Sequence, residues 1–334
     1  MSRQAPVVAL ACCCLSLLLA ASAPAQEVKL NEAVRKITTV SAVRARRGPQ
    51  VAAPEVTRLK LGTTVSAVAR SAGEEEIGGK KDYWYLVSLP AGESGWVFGG
   101  LLADYDPARR AEIIRRIIDG RMKVEEMSFE DGADFYNFVS GALAEAGGAD
   151  ARGELELLRL HALDRSVRAL PFAERERPPY RDWYKAHERE IYYHELADAL
   201  FVRAEQFWDL ERKYRGSAVG DRIAWEAAQN PLPGECEGDE VCQFLRLSNT
   251  EVRYLSLYPD GEHAGGVLRN FESALASEDL KSTLNSKGGD RYLAESRAAL
   301  RKALAELRAV VSKSSAPEKA SVLSRLNLLV PGGR

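Results

Sequence analysis

Residues Tyr83-Trp-Tyr-Leu-Val-Ser-Leu-Pro-Ala-Gly-Glu-Ser-Gly-Trp-Val-Phe98 decide how the first part of the chain folds. Tyr83 to Leu89 is rich in aromatic and branched side chains, which fit a pleated surface. Pro90 to Gly95 collects turn formers, and Trp96-Val-Phe98 resumes the strand composition. Upstream, Val56-Thr-Arg-Leu-Lys-Leu61 and Thr63-Thr-Val-Ser-Ala-Val-Ala69 alternate apolar and polar positions, and Gly62 separates them. Ile37-Thr-Thr-Val-Ser41 is β-branched, and Glu74 to Lys81 reads as a charged, glycine-containing loop. Short strands with regular turn signals predict a small β-barrel.

Val43-Arg-Ala-Arg-Arg-Gly-Pro49, Gly62-Thr-Thr-Val65, the Trp84 strand with Leu86 and Val87, Gly95-Trp-Val97 and Leu101-Leu102 follow one another in a set order. That order resembles the bacterial SH3-like (SH3b) domain. Ala45 stands where the family usually has a larger apolar residue, and the loop before Tyr83 is long. The resemblance implies an extracytoplasmic binding or targeting module for cell-wall material or peptides. On a strand, Tyr83 and Tyr85 share one face and Trp84 takes the other. Trp84 and Trp96 are expected in the core. Tyr83, Tyr85 and Phe98 are the candidates for an exposed face on which sugars or proline-rich chains stack. Arg44, Arg46 and Arg47 are candidates for meeting anionic glycans, with a solvated turn as the alternative.

Ahead of this domain, Arg3 precedes an apolar run from Pro6 to Ala21, and Ala23-Pro-Ala25 supplies small residues before Gln26. This is the pattern of a secretory signal peptide cleaved after Ala25. The run is short for a bilayer span of about 20 residues. An uncleaved anchor and a lipoprotein signal at Cys12 are the alternatives. Of the five cysteines, Cys12, Cys13 and Cys14 lie in this segment. Cys236 and Cys242 would then remain, and an even pair in an exported protein reads as a disulfide.

From Asp106-Pro107 onward the composition turns rich in Ala, Leu, Glu and Arg. Asp106 is a helix cap and Pro107 a first helical residue by type. Ile113, Ile114, Ile117 and Ile118 recur at helical spacing, and Ser128-Phe-Glu-Asp131 has the form of a capping box. Further helices are expected over 154–170, as one long helix from Tyr180 towards Tyr214, over 291–312 and over 320–329. Tyr214-Arg-Gly-Ser-Ala-Val-Gly-Asp-Arg-Ile-Ala-Trp225 can be laid on Tyr258-Pro-Asp-Gly-Glu-His-Ala-Gly-Gly-Val-Leu-Arg269, 44 residues on. Both segments read as an aromatic helix end, a turn and a new helix, which resembles tetratricopeptide-like envelope proteins.

Chemistry-bearing residues are sparse. The four histidines are His161, His187, His194 and His263. On one helix, His187 and His194 would stand two turns apart, about 10 Å, too far to share an ion comfortably. No nucleophile elbow or phosphate-cradling loop is present. With 46 basic and 48 acidic side chains, the charge of -2 gives no field that favours nucleic acid.

The expected organisation is therefore a signal peptide over 1–25, an SH3-like β-barrel domain over 26–105 and an α-helical domain over 106–330, in hairpins that resemble tetratricopeptide repeats. The expected protein is a periplasmic or secreted, non-enzymatic binding or scaffold protein. It would have no catalytic residue, metal, cofactor, nucleic-acid partner or membrane span after cleavage. Its barrel would recognise cell-wall glycan or peptide, and its helices would dock an envelope protein. The alternative is a cell-wall hydrolase accessory or glycan-cleaving enzyme targeted by the barrel.

Overall fold

A computed structural model describes residues 27–90, 92–288 and 291–330. The expected signal peptide, its cleavage point and Cys12 to Cys14 lie outside the described residues. The β-rich part consists of β1 (Glu27–Thr38), β2 (Val43–Arg46), β3 (Glu55–Leu59), β4 (Thr64–Ser71), β5 (Glu75–Ile77), β6 (Lys80–Asp82), β7 (Trp84–Ser88), β8 (Ser94–Phe98) and β9 (Leu102–Asp104). Seven of these form one sheet in the order β3-β2-β8-β7-β4-β1-β9.

The alternation in β4 sorts its side chains as expected. Val65, Ala67, Ala69 and Ser71 are buried, and the residues between them are not. β7 and β8 pair antiparallel, with Trp84 opposite Phe98 and Leu86 opposite Trp96. Directly paired residues point to the same face of a sheet. Trp84, Trp96 and Phe98 therefore form one aromatic core, with the Trp84 and Phe98 centroids 5.8 Å apart.

Two expectations change here. Phe98 is 3% exposed, so it is a core residue and not part of an open face. Its register opposite Trp84 puts it on the side that the tryptophan buries. The charged loop contains the β5–β6 hairpin, turned at Gly78 and Gly79, both with positive φ. Glu75 on that hairpin accepts a hydrogen bond from the Trp84 indole at 2.8 Å, which satisfies a donor that the core would otherwise strand. Ala45, completely buried, is small for a local reason. A Cβ on Gly95 would already lie 3.0 Å from the Ala45 methyl group.

The chain divides into two compact units. Among the described residues, one holds 27–36, Arg44–Arg58 and Val65–Asp104. The other holds Ile37–Val43, Leu59–Thr64 and the described residues from Tyr105 onward. Within this second unit, Gly62 has φ +77, and a Cβ there would come within 2.3 Å of the Phe138 ring.

The helices of the second unit are α1 (Arg110–Met122), α2 (Phe129–Ala142), α3 (Ala149–Arg168), α4 (Tyr180–His187), α5 (Ala204–Tyr214), α6 (Gly220–Gln229), α7 (Glu240–Leu247), α8 (Arg253–Leu257), α9 (Ala264–Ala274), α10 (Glu278–Asn285), α11 (Arg291–Val311) and α12 (Lys319–Leu329). A π-helical segment, Ser248–Val252, joins α7 to α8. The caps act as their types dictate. Asp106 accepts from the Ala108 amide, and Ser128 from the Asp131 amide.

The single long helix expected from Tyr180 to Tyr214 is instead two helices separated by a β-hairpin, β10 (Ile191–His194) and β11 (Ala199–Val202). Ile191 pairs with Val202 and His194 with Ala199. The aromatic and branched run Ile191-Tyr-Tyr-His194 suits a strand. Asp198, at φ +45, makes the reversal, and Asp164 on α3 accepts the Val202 amide. His187 and His194 consequently sit on different elements.

The echo between residues 214 and 258 holds at the level of the backbone. Ser217 and Gly220 donate to the carbonyls of Tyr214 and Ser217, at 3.0 and 3.1 Å. Gly261 and Ala264 do the same to Tyr258 and Gly261, at 3.1 and 3.0 Å. The α5–α6 and α8–α9 connections are thus the same turn, 44 residues apart.

Candidate functional site

The face of the β-rich unit that carries Tyr83 and Tyr85 is built by the alternation of β7. Trp84 lies with Trp96 and Phe98 on one face, and Tyr85 lies on the other with Val87 and its cross-strand partner Val97, both fully buried. Tyr83 and Tyr85 are themselves half-buried. Each tyrosine ring already has a cation over it. The Arg70 guanidinium lies 3.9 Å from the Tyr83 centroid, and the Lys36 ammonium lies 4.4 Å from that of Tyr85. Lys36 also pairs with Asp104 at 2.7 Å. A ligand approaching the covered face of either ring meets a cation before it meets a π-system. This arrangement suits polar or anionic groups better than bare stacking.

The three arginines of the proposed basic cluster behave differently from one another. Arg44 is exposed and lies 3.5 Å from Glu55. The hydrogen bond from Arg58 is the main reason that the Glu55 carboxyl stays below the ordinary carboxylate range. Arg46 is half-buried and donates to the Ala53 carbonyl at 2.7 Å, so it clamps the turn that follows β2. Arg47 is exposed and makes no side-chain ion pair or hydrogen bond among the described residues. Of the three, Arg47 is the one whose charge is available to a ligand.

The second unit holds the residues that sequence reading missed. Glu211 on α5 is fully buried and accepts both nitrogens of Arg215, at 2.8 and 2.6 Å, and the Tyr258 hydroxyl at 3.0 Å. Asp221 on α6 accepts the Tyr254 hydroxyl at 2.6 Å and the Glu262 amide at 2.7 Å. Burial first, and the carboxylate partner second, push both tyrosine hydroxyls far up. The turn of one hairpin is thereby tied to the turn of the next. Asp260 repeats the device by accepting the Ser315 amide and hydroxyl, at 2.6 and 2.8 Å. The aromatic residues near the helix ends were visible in the sequence, but their carboxylate partners, 33 and 47 positions away, were not.

Tyr136, Trp183 and His187 form an aromatic cluster, in which the Trp183 and His187 centroids are 4.7 Å apart. His187 Nδ1 lies 2.6 Å from Glu190, and this contact holds the Glu190 carboxyl below its usual range. His161 is pushed down to about 4, mainly by burial and then by the nearby Arg222, Arg165 and Arg168. His263 stacks on Trp225 at 4.3 Å. Among the described residues no group of three or more His, Cys, Asp and Glu side chains is placed to hold a metal ion. No helix among them is long and apolar enough to cross a membrane. Cys236 and Cys242 are disulfide-bonded, with their Cα atoms 5.5 Å apart.

This geometry places a known module in the chain. Residues 41–103 match the family model of the bacterial SH3 domain. The first part of the protein is a bacterial SH3 domain, a class that binds cell-wall or peptide ligands, and a helical region follows it. The matched stretch is under a fifth of the 334 residues, so it characterises the domain and leaves the helical region without a family. Comparison with curated proteins and with solved structures finds no match to either.

Proposed function

We propose that this is an exported, non-enzymatic binding or scaffold protein of the bacterial cell envelope, periplasmic or secreted after cleavage behind Ala25. The SH3 domain recognises cell-wall glycan or a wall peptide, and the helical region docks a partner protein. The observation that carries this reading is the bacterial SH3 domain at residues 41–103. The signal-peptide pattern and the Cys236–Cys242 bond, which suits an oxidising compartment, support it. The available charge of Arg47, and the Arg70 guanidinium over Tyr83, give the β-rich unit cationic groups that suit anionic wall polymers.

Retention of the purified mature chain on isolated cell wall and on immobilised envelope extract tests the reading. Binding to the wall, together with fixed-stoichiometry capture of one envelope protein, is the expected result. No retention on either matrix rejects it. Release of soluble wall fragments on incubation would instead identify a hydrolase.

A further inference from the structure

The first strand is longer than either strand beside it. β1 has 12 residues, and among the described residues its neighbours in the sheet are β4, with eight, and β9, with three. Asp104 of β9 pairs with Lys36, near the C-terminal end of β1. Most of the β1 edge on that side, towards Glu27, therefore has no strand next to it among the described residues. The backbone amides and carbonyls of such an edge form a template for another strand. The side chains are open as well. From Glu27 to Arg35 only Leu30 is half-buried, and the others are exposed. Val28 and Val34 are large apolar residues left 37% and 38% exposed.

The sequence of β1 says what fits this edge. In an antiparallel pair, directly opposite residues point to the same face. Two copies related by a two-fold axis must therefore meet with one residue opposite itself. Centred on Asn31, the pairing puts Val28 opposite Val34 and Glu27 opposite Arg35, each twice by symmetry. Both exposed valines are then covered, and the charges at the two ends are matched. Lys29, the kind of charge that guards an edge, falls opposite Ala33 and meets no cation. The neighbouring registers fail. Centred on Glu32, that carboxylate faces its own copy and Lys29 faces Arg35. Centred on Leu30, Val28 faces Glu32 and Glu27 faces Ala33.

We propose that β1 pairs antiparallel with β1 of a second copy of this chain, in the register centred on Asn31. A single strand pair falls below the roughly 1,200 Å² of a stable interface, so a reversible dimer is expected and not a permanent one. Two SH3 domains in one particle would hold a repeating polymer more tightly than one. That consequence rests on the wall-binding reading, whereas the pairing itself does not. Sedimentation velocity of the full mature chain, at concentrations up to about 1 mM, reads pairs of this strength. A shift from monomer to dimer with rising concentration is expected. Arg35→Glu sets like charges opposite each other twice, and should weaken the dimer by about tenfold with unchanged circular dichroism. Glu27→Arg should do the same, and the double variant with both changes should recover wild-type pairing. Asn31→Cys, oxidised with diamide, should crosslink to its own copy. A chain that stays monomeric throughout overturns the proposal, as does a dimer that Arg35→Glu leaves unchanged. Failure of the double variant to recover pairing overturns it as well. Capture of a different protein by a monomeric chain, lost in Val28→Lys, would assign the edge to that protein and likewise overturn self-pairing.

Discussion

The SH3 domain and the helical region treat buried polarity in opposite ways. In the SH3 domain, the Trp84 indole is answered by Glu75 and its amide by Ser71, both from the segment just before it. The rest of that core is aromatic and aliphatic packing. In the helical region, carboxyl and phenolic groups are drawn inside and matched over long sequence distances. Glu211 meets Tyr258, Asp221 meets Tyr254, and Asp164 meets the Val202 amide. The SH3 domain should therefore fail by losing packing volume. The helical region should fail by losing single hydrogen bonds or by being titrated.

The largest effect expected from this contrast is Trp84→Ala. Emptying a core aromatic site costs about 3–5 kcal/mol. The near-ultraviolet signal of the SH3 domain should be lost while most helical circular dichroism persists. A variant that melts in one transition with the helices would break the contrast.

Titration of His161 comes next. Its ring is pushed down to about 4 against an ordinary 6.5, so the unfolded chain takes up a proton first as pH falls. Stability should therefore drop between pH 6.5 and 4, by about 2–3 kcal/mol for this group. Glu226, 3.8 Å away and raised by burial, pulls the other way. The informative quantity is thus the difference between wild type and His161→Leu in urea melts at pH 7 and pH 4.5. The variant should lose less stability on acidification, and an equal loss would contradict the assignment.

How much of this was legible follows the same division. The strands of the SH3 domain were readable because each is a local alternation with a turn signal beside it. That Tyr83 and Tyr85 lie on the face opposite Trp84 followed from that alternation as well. Phe98 was misread because its face depends on its register with Trp84, a relation between two strands. Helix starts at Asp106 and Ser128 were legible from their caps. The β10–β11 hairpin was hidden because Ile191, Leu200 and Phe201 suit a helical stripe about as well as two short strands, and Asp164, which fixes the hairpin, lies far upstream.

Smaller effects sharpen the comparison. Replacing Cys236 and Cys242 together by Ser should cost about 2 kcal/mol through the freed loop. The loss should appear in the denaturation midpoint of the helical region and leave the SH3 transition in place. Tyr254→Phe removes the hydroxyl shared between Asp221 and the His263 amide. A loss of about 1–2 kcal/mol is expected from stranding these partners. Chemical denaturation followed by Trp225 fluorescence, 5.6 Å from the Tyr254 ring, reports it.

Sedimentation of the mature chain with purified cell wall tests the central division of labour most directly. Wild type and the double serine variant should pellet with the wall to the same extent, and Trp84→Ala should stay in the supernatant. Pelleting of Trp84→Ala at the wild-type level would contradict the assignment of wall recognition to the SH3 domain.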